Sequence, residues 1–199
     1  MSPRRPEPPI DRPVEDATDP ESAVRSIVLR RLSSAPRTRS ELAKDLSRRG
    51  ADPAACERVL DRFEEVGLID DASYARMWVE SRHRGKALAR SVLRQELRER
   101  GVDDELIIDA LDQIDDDDEL ARARDFAERK ARLRAGEDPV KAVNRLAGQL
   151  ARKGYPPAMC FRVAKESLGA LLQQRENDVI DEVDAGLVID DLPEHQESV

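Results

Sequence analysis

The sequence predicts an all-α protein, arranged as a tandem array of three three-helix repeats with about nine helices and no β-sheet. Leu, Ala, Arg, Glu and Asp dominate its 199 residues, a composition that favours helix. The chain has no alternating run of Val, Ile or Thr bounded by Asn-Gly or Asp-Gly, the pattern typical of strands and hairpins. An internal repeat then predicts how the helices are grouped.

Three segments align with one another without gaps, starting at Ser40, Ser91 and Asn144, so the copies are 51 and 53 residues apart. Each copy has two leucines four residues apart, then a basic residue before a glycine, and six residues later another apolar residue. The shared positions are Leu42, Leu93 and Leu146; Leu46, Leu97 and Leu150; Gly50, Gly101 and Gly154; and Cys56, Ile107 and Cys160.

Each copy predicts a helix, a glycine stop and a second helix. The two leucines form one apolar stripe, and the glycine provides the left-handed residue that ends the first helix. Polar residues suited to N-terminal capping precede these helices. They are Thr38, in a capping box with Glu41, then Asp52 and Asp103, and finally Asp138.

A further helix precedes each of these pairs. Val24, Ile27, Val28 and Leu32 have helical spacing before the first pair, residues 72–83 form a helix before the second, and residues 120–133 form one before the third. The acidic run at 115–119 complements the positive end of the third of these helices. We expect no metal there, because the glycine and ligand pattern of a calcium loop is missing.

Charge and composition set the predicted domain boundaries. The chain has a net charge of −8, but the acidity lies in its tails: residues 1–22 have a net charge of −3 and residues 174–199 a net charge of −8. The remainder has a net charge of +3. We therefore predict a disordered N-terminal tail (1–22), helical repeats at 23–69, 70–115 and 116–173, and an acidic, mobile C-terminal tail (174–199) in which residues 187–189 could dock weakly.

Several functional classes lack their signatures in this sequence. No apolar run approaches the roughly 20 residues of a membrane span, and the N-terminus lacks the apolar core of a secretory signal, so we expect a cytoplasmic protein. No phosphate-binding glycine loop, nucleophile elbow or zinc-protease motif is present, which argues against an enzyme, a cofactor or a metal. Cys56 and Cys160 occupy a core-facing repeat position, and His83 is interpreted as a surface residue rather than a ligand.

A basic stripe distinguishes the middle repeat from the other two. Arg90, Arg94 and Arg98 recur every four residues beside the leucine stripe, and the matching positions are Arg39, Ala43 and Ser47 in the first copy and Val143, Ala147 and Ala151 in the third. Three cations just upstream extend the stripe: Arg82, Arg84 and Lys86. Such a row suits a phosphate backbone or an acidic protein groove. Alternatively, it is a solvated helix face with Glu96 and Glu99 as partners.

The stretch from Gly67 to Val102 resembles the central signature of the RecX family, whose members modulate the RecA recombinase. The matching residues are Ile69, Asp70-Asp71, Tyr74-Ala75, Trp78, Arg82, Gly85, Arg90, Glu96-Leu97 and Gly101. The resemblance covers residues 24–170 and departs at Lys86 to Ala89, where many relatives have a second glycine. It implies a regulator, in most members an inhibitor, that lies in the groove of the RecA filament on single-stranded DNA. We expect the protein to be a monomer.

Other functions remain open at this point. Residues 38–71 resemble a winged-helix module of a transcription regulator, although a wing would need a β-hairpin where residues 71–83 have helical spacing. A general single-strand nucleic-acid binder is a second alternative, and an enzyme is a distant third. Tyr74 and Trp78 lie one helical turn apart and suit either core packing or a base-stacking platform.

Overall fold

The computed structural model describes residues 19–134 and 137–186, with side chains described as far as residue 173. Those residues form nine α-helices and no strand, which confirms the predicted all-α class. The helices are α1 (Pro20–Ser34), α2 (Arg39–Arg48), α3 (Pro53–Glu65), α4 (Asp71–Lys86), α5 (Arg90–Glu99), α6 (Asp104–Leu111), α7 (Asp116–Lys130), α8 (Pro139–Ala151) and α9 (Pro157–Gly186). The chain divides into two compact units, one ending at Asp115 and the other starting at Asp116.

The first repeat consists of α1, α2 and α3 around one apolar cluster. Val24 and Val28 of α1 pack with the leucine stripe of α2 and with Leu60 of α3, and all are buried. Helix α1 begins at Pro20, inside the tail predicted to extend to residue 22. The Asp19 side chain accepts a hydrogen bond from the Glu21 backbone N–H at 3.1 Å, and proline suits the first helical position. The rest of that predicted tail lies outside the described residues.

The second repeat consists of α4, α5 and α6, and its core is a separate cluster within the same unit. Val79 of α4, Leu93 and Leu97 of α5, and Ile107 of α6 are fully buried there. Helix α4 extends from Asp71 to Lys86, three residues past the predicted end at residue 83. This helix occupies the position where a winged-helix module would require a hairpin, so the stretch from residue 71 to 86 forms no wing.

The third repeat consists of α7, α8 and the first part of α9. Its core is rich in alanine, with Ala123 and Ala127 of α7 fully buried and Leu146, Leu150 and Val163 completing it. Helix α7 starts at Asp116, within the acidic run predicted to lie at a helix start, and it ends three residues before the predicted position. Helix α9 continues to Gly186, so part of the predicted acidic tail is helical. Residues 187–199, including the apolar run at 187–189, lie outside the described residues.

The structure contains the glycines predicted to end helices and the aspartates predicted to cap helix N-termini. Gly50, Gly101 and Gly154 each have a positive φ, between 71° and 90°, two or three residues after a helix ends. The Asp52 carboxylate accepts a hydrogen bond from the backbone N–H of Ala55 at 2.8 Å, and Asp103 caps α6 in a similar way. Each repeat is therefore built from short-range signals, and the buried leucines join its helices into one core.

Candidate partner-binding surface

The six cations of the predicted stripe lie at the end of α4 and along α5. Helix α5 exposes Arg94 and Arg98 beside the stripe of Leu93 and Leu97, which have no exposed surface. Arg90, one turn earlier, is partly buried. The four-residue spacing therefore places these cations along one side of the helix, as the sequence pattern requires.

The three arginines of α5 have different surroundings. Arg90 donates from Nη1 to the backbone carbonyl of Ile114 at 3.3 Å, which ties α5 to the end of the repeat. Arg98 makes two hydrogen bonds to the Asp104 carboxylate, at 2.7 and 3.2 Å, and this contact lowers the pKa of Asp104. Arg94 is exposed and forms no ion pair with a described residue. The stripe is therefore partly engaged within the repeat, and Arg94 is its most available member.

The three upstream cations differ in the same way. Arg84 forms an ion pair with Glu80 one turn earlier, at 2.8 Å, and remains largely exposed. Lys86 is the exposed last residue of α4 and has no ion-pair partner among the described side chains. Arg82 lies over the Trp78 ring with its guanidinium carbon 4.1 Å from the ring centroid. Arg82 is thus a structural residue as well as a candidate for binding.

Trp78 is the centre of a polar and aromatic cluster that the sequence pattern does not predict. Its indole N–H donates to Glu96 at 2.8 Å, and Tyr74 stacks on it with a centroid distance of 5.9 Å. Besides Arg82, the guanidinium of Arg100 lies 3.8 Å from the ring centroid. Two guanidinium groups already cover the ring, which favours the structural role of Trp78 over a base-stacking platform.

Arg100 also connects the first two repeats. Its backbone carbonyl accepts a hydrogen bond from the buried Thr38 hydroxyl at 2.7 Å, and its guanidinium forms an ion pair with Glu41. Thr38 also accepts from the Glu41 backbone N–H at 3.1 Å, so the predicted cap is present. The Glu41 carboxylate, however, faces Arg100 from the next repeat. Burial, followed by the nearby Glu41 charge, raises the pKa of Tyr74 at the edge of this contact.

The positions that resemble a family signature are mainly part of this connection. Tyr74, Trp78, Arg82 and Glu96 form the cluster, and Gly101 lies at the contact with the first repeat. Gly101 has φ +73°, and a Cβ atom there would lie 2.2 Å from Ser40 Oγ. These signature residues therefore support packing within the second repeat and its contact with the first, and Arg82 and Arg90 of the stripe are themselves signature positions.

The first repeat neutralises the cation that corresponds to Arg90. Arg39 forms ion pairs with three carboxylates of α3, those of Glu57, Asp61 and Glu64. The hydrogen bond to Glu57 is the main cause that raises the pKa of the Arg39 guanidinium. Arg39 is therefore held against α3 by the acids of its own repeat.

The interpretation of His83 as a surface residue is wrong. The side chain is buried, and its Nδ1 lies 2.9 Å from the Leu88 carbonyl oxygen, where a protonated Nδ1 donates the hydrogen bond. This contact closes the turn after α4, in which Ala87 adopts φ +51°. The departure from the signature at 86–89 thus places alanine in a left-handed conformation that glycine adopts at lower cost.

The two cysteines lie in the cores of the first and third repeats. Cys56 and Cys160 are buried and unpaired, as their core-facing repeat position predicts. No group of three or more potential metal ligands occurs among the described residues. The described helices include none with the length and apolar character of a membrane span.

The fold and this surface define a class of protein: a tandem array of three-helix domains with a cationic face on its middle domain. Comparison with family models gives the same division. Residues 25–63 match the first three-helix domain of RecX, residues 70–111 the second and residues 116–163 the third.

Curated relatives cover most of the chain. The regulatory protein RecX of Streptomyces coelicolor is 49% identical over 154 residues, which are 77% of this chain and 82% of that protein. The regulatory protein RecX of Thermobifida fusca is 44% identical over 146 residues, 73% of this chain and 79% of that protein. That of Mycolicibacterium smegmatis is 40% identical over 168 residues, 81% and 89% of the two chains. This chain belongs to the RecX family of regulatory proteins.

Solved structures support the fold. The crystal structure of RecX from Lactobacillus salivarius superimposes with a TM-score of 0.68 at 22% identity, covering 76% of this chain and 98% of that one. A second crystal structure of a regulatory protein RecX gives a TM-score of 0.62 at 23% identity, covering 76% and 72%.

Proposed function

We propose that this protein binds the RecA recombinase filament on single-stranded DNA and inhibits its activity in recombination and the SOS response. The observation that carries the proposal is membership of the RecX family, whose name implies regulation of RecA, together with a cationic face on the middle repeat. The protein acts by binding as a cytoplasmic monomer, without catalysis and without a cofactor.

The exposed cations supply the electrostatic part of binding. Arg94 and Lys86 have no ion-pair partner among the described residues, and Arg84 and Arg98 are held only by exposed ion pairs. Exposed pairs of this kind contribute about 0.2–1 kcal/mol, so an acidic groove or a phosphate backbone can replace the local carboxylates at little cost. The middle repeat therefore docks first, and the flanking repeats bridge adjacent protomers of the filament.

A charge-removal variant tests the proposal. We expect the triple variant R84A/K86A/R94A to bind RecA–single-stranded DNA filaments roughly tenfold more weakly in co-sedimentation, because three exposed ion pairs between this protein and the filament are lost. The affinity of the natural protein should also fall as salt rises, whereas that of the variant should fall less. These positions avoid Arg90 and Arg82, whose contacts support the fold.

A matched control removes three exposed arginines of the first repeat instead. Arg48, Arg58 and Arg62 are each more than half exposed, and their ion-pair partners are Asp45, Glu21 and Glu65. We expect R48A/R58A/R62A to retain filament binding within about twofold. An equal loss of filament affinity in both triple variants would mean that the net charge of the protein, and not the middle repeat, governs binding. Unchanged binding by R84A/K86A/R94A would refute the role of the stripe.

A further inference from the structure

The third repeat contains a long stretch without any acidic residue. From Pro139 to Lys165 the chain has 27 residues with six Lys or Arg and no Asp or Glu, although the whole protein has a net charge of −8. The six are Lys141, Arg145, Arg152, Lys153, Arg162 and Lys165. This stretch forms α8 and the start of α9. It is the longest stretch of the chain without Asp or Glu, and it is separate from the stripe on α5.

One part of this stretch combines cations with an exposed aromatic ring. Phe161 is 47% exposed, and Arg162 and Lys165 are exposed on the same helix. Residues 161 and 165, and 162 and 165, are helical neighbours, so the three side chains form one contiguous patch. Neither cation forms an ion pair with a described residue, and the next acid, Glu166, is paired with Arg124 at 3.1 Å.

The equivalent positions in the other repeats do not combine an aromatic ring with two cations. They are Glu57, Arg58 and Asp61 in α3, and Ile108, Asp109 and Asp112 in α6. In α3 the two acids bind Arg39. The buried positions next to them are alike in all three helices, since Cys56, Ile107 and Cys160 are all buried. The fold therefore does not require an aromatic residue and two cations on this face of α9.

From this patch we infer a binding site for single-stranded nucleic acid on the third repeat. Phe161 offers a ring face on which an unpaired base stacks, while Arg162 and Lys165 contact the flanking phosphates. A duplex keeps its bases stacked inside and would leave Phe161 without a partner. An acidic protein surface would satisfy the cations but give the ring no comparable role. This site is independent of the proposed function, because it requires no recombinase.

Titration of the full-length protein with a fluorescent oligothymidylate of about 15 nucleotides tests the site in the absence of any other protein. We expect F161L to weaken binding about tenfold, since leucine keeps the apolar area but loses base stacking, and F161W to bind at least as tightly as the natural protein. R162A/K165A should lower the slope of log affinity against log salt by about 1.4, or about 0.7 per lost phosphate contact.

Two further variants serve as controls for the role of this patch. R129A/K130A removes two exposed cations from the last turn of α7 and should leave the affinity within about twofold. F161I/R162D/K165D installs the residues of the second repeat, which α6 accommodates in the same fold, and should abolish binding. The inference is overturned if the natural protein does not bind the oligothymidylate. Equal affinity of F161L and the natural protein would also overturn it, as would filament capture that depends on Phe161 without any affinity for the free strand.

Discussion

Replacing Gly101 with alanine tests the connection between the first and second repeats. Gly101 follows α5 with φ +73°, and a Cβ atom at this position would lie 2.2 Å from Ser40 Oγ and 2.4 Å from Ser40 Cβ. Gly50 occupies the same position after α2 with φ +71°, and a Cβ atom there would meet no atom within 4 Å. The two glycines share the same backbone conformation, but only Gly101 lies close to another residue, Ser40. Each glycine is therefore the control for the other.

The expected magnitudes follow from these two geometries. Alanine in the left-handed region costs about 1–2 kcal/mol, offset by about 0.4–1 kcal/mol because alanine restricts the unfolded chain. G50A should therefore lower the free energy of unfolding by about 1 kcal/mol. G101A must also displace Ser40 at the start of α2, and overpacking of this kind adds about 1–3 kcal/mol. We expect G101A to be the more destabilising variant by that additional amount.

Urea unfolding followed by tryptophan fluorescence measures the difference directly. Trp78 is the only tryptophan of the chain and lies in the cluster with Arg100, so its emission reports on this connection. The double variant S40G/G101A removes both serine atoms that the new methyl group would meet and should recover most of the additional loss. Equal destabilisation by G50A and G101A would refute the close approach as the reason for glycine at position 101.

Two other variants probe contacts beside this one. T38V should lower the free energy of unfolding by about 2–3 kcal/mol, because it removes the cap on α2 and leaves the Arg100 carbonyl unpaired, whereas T38S should retain most of the stability in the same urea assay. R98A should raise the pKa of Asp104, measured by carbon-13 NMR titration, since the Arg98 hydrogen bond lowers it. A lowered folded-state pKa means that this pair stabilises the fold above the unfolded-state pKa of Asp104 and loses that effect as pH falls through the folded-state value. An Asp104 titration unaffected by R98A would contradict the ion pair.

Local signals made much of the fold predictable. The glycine stops, the aspartate caps and the leucine stripes act within a few residues of one another, and the structure contains all of them. The ends of the helices were less predictable, because they depend on single capping hydrogen bonds whose energies are too small to show in the sequence pattern. At α1, for example, a single hydrogen bond from Glu21 to Asp19 starts the helix within the predicted tail.

Contacts between distant residues could not be predicted in the same way. Arg100 and Glu41 are 59 residues apart, and neither differs in type from the many charged residues that face solvent. The buried His83 is a similar case, since its partner is a backbone carbonyl that the sequence does not reveal. The stripe itself was predicted as a set of positions, but the contact of Arg90 with a carbonyl and that of Arg82 with Trp78 depend on the packing of α4, α5 and α6.

The internal repeat offers a way to separate structural from functional residues without any comparison to relatives. Positions that are alike in all three copies, such as the leucines at 46, 97 and 150, are buried and explain the fold. Exposed positions that differ in chemistry between copies are not required by that fold, because a sister helix folds without them. By this criterion Arg94, aligned with Ala43 and Ala147, and Phe161, aligned with Glu57 and Ile108, are free to serve binding. Trp78 does not meet this criterion, because its side chain is only partly exposed, and its contacts with Glu96 and Arg100 give it a structural role.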